Sequence, residues 1–432
     1  MRIRWGANVV NGAELIWEPG RVANPHIGVF ADSGMGKTTM LRRIVAAMKE
    51  TGHPRVRFHV FDGHGDIDIP EASSVTFHES SDFGFNPLEL SADPEFGGVR
   101  KRIQSLIMAI NRTSVRLGPR QERALSRLLV ALYRREGFVM EDHTTWAADP
   151  ANGKRYPTLL DAIEYGRERI KVMATGSNER AVSALQDVFR ATKQMRIKEA
   201  SLSRASGDDG VAIAKLEREL QAVQEKAIAC FTEAVKTART GDEFDDALEA
   251  DGQKETLESV VDRLENLYQI GIYRNTPPPL DPRSRVWRYI IKSLSRDEKK
   301  LFTLTRLETI FTRAVQRGIT DEILDIAVLD EAHWYSDDAE DYVVNRMVRE
   351  GRKFGTSMVF ATQSPKDLAD ILIGNLGTKL YLGLDHTNNT YAVRKLGLSE
   401  ALLKSIIPHR RALVQMKGVG ELASGATMVS LG

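Results

Sequence analysis

The segment ADSGMGKTT, residues 31–39, constrains this chain more than any other, because it follows the apolar run HIGVF and leads into TTMLRRIVAAMK. A strand, a glycine-rich turn and a helix in that succession form a phosphate cradle. The spacing is A-x4-G-K-T, with Ala31 where glycine is commonest. Gly34 and Gly36 allow the backbone to turn its N–H groups inward around a triphosphate. Ser33, Met35 and Thr39 belong to the same cradle. Lys37 is placed to reach the β and γ phosphates, and Thr38 to set its hydroxyl on magnesium. The positive end of the following helix points at the same phosphates. The expected ligand is ATP with Mg2+.

Several classes are excluded by composition. A formal net charge of +1 gives no global field for a nucleic-acid partner, although charge can be segregated locally. A single cysteine, Cys230, rules out an internal disulfide and a cysteine zinc site, and fits a reducing compartment. No apolar run approaches the roughly 20 residues that span a bilayer, and MRIRWGANVV lacks the apolar core of a signal peptide. A soluble, cytoplasmic protein is the expectation. At 432 residues there is room for two or three domains.

The chain opens on a hairpin pattern, RIRWGANVV, Asn11-Gly12, AELIW. Strand-like runs follow at VRFHVFD (56–62), SSVTFH (73–78), ILDIAVLD, TSMVFATQ, TKLYLGL and RALVQM. Apolar runs separated by helical segments predict an α/β fold, a largely parallel sheet with helices on both faces. Between the two blocks of strands the pattern is helical. Ile103, Leu106, Ile107 and Ile110 share a face, as do Leu125, Leu128, Leu129 and Leu132. Residues 179–205 and 211–240 predict a helical hairpin joined by GDDG, KETLESVVDRLENL a further helix, and TPPPLDP (276–282) a stiff linker. The expected organisation is an α/β core at 1–98 and 319–432, interrupted by an all-α insertion at 99–318. Residues 100–136 hold ten Lys/Arg against Glu122 and Glu136. That makes Arg112, Arg116, Arg120 and Arg123 candidates for contact with a phosphate backbone.

The second half of a hydrolytic site lies far downstream, in ILDIAVLDEAHWY. A strand ending in Asp330-Glu331 suits a magnesium-holding acid followed by one that orients and deprotonates water. The next strand, TSMVFAT, ends in Gln363, a polar group that needs a partner if buried. Should that strand lie between the phosphate-loop strand and the acidic one, Gln363 senses the γ-phosphate. Arg349, Arg352 and Lys353 cluster ahead of it as candidates for an arginine finger that reaches a neighbouring subunit's phosphate.

ADSGMGKT, FDGHGD, FNPLEL, VLDEAHWY, EGRKFG and ATQSPKDL, in this order, resemble the HerA/FtsK superfamily of P-loop ATPases, particularly its HerA-like, type IV secretion and conjugation coupling members. The resemblance covers roughly 1–95 and 320–432. It implies a RecA-like core that forms hexameric rings and moves DNA, or energises transfer in secretion. It also implies Lys37, Thr38, Asp330 and Glu331 as the hydrolytic set, Gln363 as sensor, Arg352 as finger, and Asp62 and His64 beside the site or the central pore. Coupling proteins carry an all-α insertion too, which is what 100–315 looks like; the near-neutral charge and the long helical hairpin leave open the alternative of an ATP-gated switch with a protein partner on the insertion. Two departures stand out: no membrane anchor is evident, and only a hairpin precedes the phosphate loop. The letters DEAH at 330–333 also mark a helicase superfamily, but about 290 residues separate Lys37 from Asp330, far more than that pattern has.

Overall fold

The computed structural model describes all residues except 114–115, 176–187, 189–190, 201–209, 238–243, 422–424 and 432. Two compact units form. The larger takes Met1–Leu117, Tyr133–Leu159 and Asn266–Gly432; the other takes Gly118–Leu132 and Leu160–Glu265.

The larger unit is built on eleven strands: β1 (Ile3–Asn8), β2 (Glu14–Trp17), β3 (Ile27–Ala31), β4 (Arg57–Asp62), β5 (Ser73–Thr76), β6 (Val286–Ile290), β7 (Thr320–Leu329), β8 (Phe354–Thr362), β9 (Thr378–Gly383), β10 (Arg411–Met416) and β11 (Gly425–Ser430). They form one sheet in the order β2-β1-β11-β10-β9-β3-β8-β7-β4-β6-β5. From β9 to β5 every neighbouring pair is parallel. β10, β11, β1 and β2 extend the sheet antiparallel. Alternation along β4 shows how both faces are covered. Phe58 and Val60 join a buried cluster with Leu41, Ile44, Val45 and Met48 of the helix Lys37–Thr51. Phe61 points the other way, to Tyr289 and to Phe302 of the helix Arg296–Arg317. Each large apolar side chain buried like this contributes about 1.5–3 kcal/mol. The second helix starts at a capping box, in which Ser295 and Glu298 satisfy each other's backbone N–H groups.

The described elements of the second unit are helical: residues 119–132 of the helix Pro119–Arg135, 160–175 of Leu159–Thr175, 191–200, Gly210–Thr237, and Phe244–Gln269 up to residue 265. Leu125, Leu128, Leu129, Ile163, Leu257, Val260 and Leu264 are buried in it. Gly166 is set so close to Val261 that an added Cβ would lie 2.5 Å from its methyl. Gln121 donates to Ser259 at 2.7 Å. Of the expected hairpin at 179–240, residues 179–187, 189–190, 201–209 and 238–240 lie outside the described residues. Among the described residues no helix is long and apolar enough to cross a membrane.

Three features differ from the sequence expectation. The stretch 99–318 was expected to be all-helical, yet it contains β6, paired in parallel between β4 and β5. Its five residues, VWRYI, are too few to show the strand period, and the one polar residue, Arg288, is itself buried. The helices Val99–Asn111 and Arg296–Arg317 fall in the unit with the sheet. β11 is likewise an addition, pairing with β10 on one side and β1 on the other.

Candidate active site

β8 lies between β3 and β7, with Phe30 opposite Thr362 and Leu329 opposite Phe360. In a parallel sheet this register brings the phosphate loop, Gln363 and Asp330-Glu331 to one carboxyl edge. Ligands in open α/β sheets bind at that edge.

The loop's shape follows from its glycines. Gly34 (φ 75°) and Gly36 (φ 92°) occupy left-handed backbone that other residues reach only at a cost, and Gly36 caps the helix Lys37–Thr51. The Ser33 N–H donates to Asp32 Oδ1 at 2.8 Å and the Met35 N–H to the Asp32 carbonyl at 3.2 Å. Met35 packs over Gly383 at the end of β9. Thr39 is exposed in the first helical turn. His409, a non-glycine residue at φ 61°, stacks over Gly36, and its Nε2 lies 3.2 Å from the Gly34 carbonyl.

Lys37 Nζ donates to Glu331 Oε1 and lies 3.5 Å from Asp330 Oδ1. Both acids are nearly inaccessible, at 3% and 4% exposure, so the lysine supplies the positive charge that their burial requires. Burial pushes the Asp330 carboxyl above the usual range, while Lys37 pulls it back. Glu331 sits in left-handed backbone, φ 49° and ψ 49°, a strain of order 1–3 kcal/mol of the kind found at functional sites. Gln363 Nε2 donates to Glu331 Oε1 at 3.4 Å. His333 Nδ1 lies 3.3 Å from both Glu331 Oε2 and the Thr362 hydroxyl, and burial lowers its pKa. A cleft of about 450 Å³ opens in front of these groups, walled by Asp32, Trp334, Gln363, Asp385 and Asn388.

Lys37, Asp330, Glu331 and Gln363 therefore meet, and Thr38 stands one residue from Lys37. Its hydroxyl donates to Asp66 Oδ2 at 3.2 Å. Of the two loop residues expected beside the site, His64 is there, 3.9 Å from Glu331 Oε1. Asp62 is not: it is fully buried, and its carboxylate is consumed by Arg288 and by the N–H groups of Gly65 and Ile67. Arg352 lies at the amino edge of β8, donating to the Ala23 carbonyl at 2.6 Å, and Arg349 donates to the Glu340 carbonyl. Nine residues of β8, about 30 Å at roughly 3.3 Å per residue, separate Arg352 from the site of its own chain. Arg112 is committed to Asp337 and Asp341, at 3.0 and 3.3 Å, which removes it as a phosphate contact. Arg116, Arg120 and Arg123 are exposed. Asp66, His333 and His409 were missed from sequence; only the acid-rich FDGHGD pattern carried any signal for the first.

Fold and site define the class, a P-loop NTPase. An AAA-like domain family matches residues 293–399. The DNA double-strand break repair helicase HerA of Saccharolobus solfataricus is 27% identical over 186 residues, 37% of this chain and 36% of that protein. VirB4 of Thermoanaerobacter pseudethanolicus superposes with a TM-score of 0.58 at 14% identity, covering 99% of this chain and 95% of that one. Plasmid coupling protein TrwB, in complex with the ATP analogue ADPNP, gives 0.56 at 12% identity, covering 100% and 95%. The curated relatives are matched over about a third of their length or less, 36% and 20%. The chain has a P-loop NTPase fold and is similar to proteins of the HerA/FtsK type.

Proposed function

We propose that this chain is an ATP-hydrolysing, oligomeric motor that moves DNA, in conjugative or mobile-element transfer or in DNA processing or defence. One observation carries the reading: Lys37, Asp330, Glu331 and Gln363, from three adjacent strands, converge at one edge of the sheet. Solved TrwB structures that resemble the chain hold an ATP analogue in one crystal and ADP with Mg2+ in another.

An entering triphosphate draws Lys37 from Glu331 to its own β and γ oxygens. Glu331, released from its cation, then accepts a hydrogen bond and a proton from the attacking water. Gln363, already within reach of Glu331, orients that water or the γ-phosphate. Thr38 and Asp330 would hold magnesium, and they fit that task. Asp330 is buried, its Oδ1 receives no hydrogen bond, and it already faces a cation. When bound, the ion neutralises charge that develops across the phosphate oxygens. Arg352, at the far edge of the sheet, serves a site on a neighbouring copy.

Steady-state ATPase with and without double-stranded DNA, alongside particle mass by light scattering, tests the proposal. Several-fold stimulation that falls with salt, on a ring-sized particle, supports a DNA motor. A second reading, an ATP-gated switch or secretion ATPase acting on protein partners, is favoured by the loss of Arg112 to Asp337 and Asp341 and by the near-neutral charge. No DNA stimulation at any salt, with assembly still nucleotide-dependent, selects it.

A further inference from the structure

The loop after β4, residues 63–68, is held from beneath by a buried clamp. Asp62 Oδ1 accepts the Gly65 N–H at 2.6 Å, and its Oδ2 accepts the Ile67 N–H at 3.1 Å. Arg288, on neighbouring β6, donates from Nε to Asp62 Oδ2 at 2.9 Å, from Nη2 to the Gly65 carbonyl at 3.0 Å and from Nη1 to Asp68 at 3.2 Å. A planar guanidinium that ties the end of β4 to Gly65 and Asp68 leaves the loop little freedom.

The clamp presents two exposed side chains to the phosphate loop. Asp66 takes the hydroxyl of Thr38 at 3.2 Å, and its carbonyl accepts from Arg42 in the next helical turn. His64 brings its Nε2 to 3.9 Å from Glu331 Oε1 and lies against Trp334, which also covers Gly63. Ligand atoms of His64, Asp330 and Glu331 all fall within 4.8 Å of one another. Independently, the Asp330 side chain, a member of that cluster, is only 2% exposed, and its Oδ1, 3.5 Å from Lys37 Nζ, receives no hydrogen bond.

We propose that His64 and Asp66 are further residues of the divalent-cation site, and that Arg288 is the positioning residue that holds them there. Asp66 supplies a carboxylate beside Thr38, for the ion or its water. His64 supplies an imidazole, a ligand that suits Mn2+ or Co2+ better than Mg2+. The site thus takes a hydrated divalent ion with tolerance for the first-row transition metals. The inference rests on the reading of the phosphate loop as an ATP site.

The test is Mn2+ binding to the full chain in the presence of ADP, read by loss of the free-ion EPR signal, with metal-free binding of a fluorescent ADP analogue measured in parallel. Asp66→Asn is expected to weaken Mn2+ by about tenfold or more while leaving metal-free nucleotide binding unchanged. His64→Gln is expected to lower the ratio of Mn2+ to Mg2+ affinity. Arg288→Met is expected to reproduce the Asp66→Asn loss, although Asp62, Gly65 and Asp68, the three residues it holds, are not placed on the nucleotide. If Arg288→Met does not fold, Asp66→Asn decides, since that side chain is exposed. Wild-type Mn2+ affinity in Asp66→Asn overturns the proposal. Lys37→Ala separates the two levels. If it abolishes nucleotide binding while Asp66→Asn keeps wild-type Mn2+ affinity, this inference alone falls. If Lys37→Ala binds nucleotide normally, the reading of the ATP site falls with it.

Discussion

Replacing Lys37 by methionine keeps the aliphatic stem and removes the charge that two buried acids share. At 3.5 Å from Asp330, and with an effective dielectric constant of about 20, the gross attraction is about 5 kcal/mol. Desolvation of the three groups offsets much of that, and breaking a buried pair of this kind costs about 3 kcal/mol. Protonation limits the loss. Without Lys37 one carboxyl takes up a proton in the folded chain that it does not hold when unfolded, so its folded pKa is raised. A raised pKa leaves stability intact at low pH and removes it as pH rises through the folded value. The deficit of Lys37→Met against wild type is therefore expected to be larger at pH 8 than at pH 5.5. Urea unfolding followed by tryptophan emission measures it. Adding Glu331→Gln removes one of the stranded charges, so the double variant is expected to recover about 2 kcal/mol relative to the sum of the single changes. Additivity within about 0.5 kcal/mol, or a deficit independent of pH, would refute the account of Lys37 as the counter-ion of both acids.

Glu331→Gln alone is expected to bind ATP more tightly than wild type, since Lys37 is no longer held, and to hydrolyse it at least about a hundredfold more slowly; filter binding and single-turnover kinetics measure both. Arg352→Ala is expected to spare ATP binding and to lose about 10³-fold in the hydrolysis that depends on assembly; equal rates in dilute and assembled protein would discard the finger. His26 gives a stability prediction. It is fully buried, burial pushes its imidazole down to about 4, and its Nδ1 accepts the Met358 N–H at 3.0 Å. A lowered imidazole pKa means that stability present above about 6.5 is lost as pH falls toward 4, by about 3 kcal/mol. His26→Asn keeps an acceptor without a titrating ring, so its urea midpoint is expected to fall less over that range.

Residues acting through their immediate sequence neighbours were legible. Gly34, Gly36, Lys37 and Thr38 act within one turn between a strand and a helix, and Asp330, Glu331 and Gln363 end apolar strands whose period is plain. What escaped was whatever depends on pairing across the chain. Arg288 looks like one cation in an apolar run, and nothing local says that it closes on Asp62, 226 positions away. Arg112 belongs to a basic stretch by composition, yet Asp337 and Asp341 neutralise it from the far side of the sequence. A charge count along the chain cannot see such partners. β6 escaped because five residues, with large side chains on both faces, are too few to show the alternation by which strands are recognised.

β8 carries a consequence of its own. Its nine residues are hydrogen-bonded on both sides and almost wholly buried, so the strand can neither stretch nor buckle. At one end is Gln363, hydrogen-bonded to Glu331; at the other is Arg352, about 30 Å away at roughly 3.3 Å per residue. Such a strand moves as one piece, so a displacement at one end has no slack to absorb it before the other. If copies assemble as proposed, with Gln363 at one subunit's phosphate and Arg352 at its neighbour's, this one strand is the element that joins the two sites.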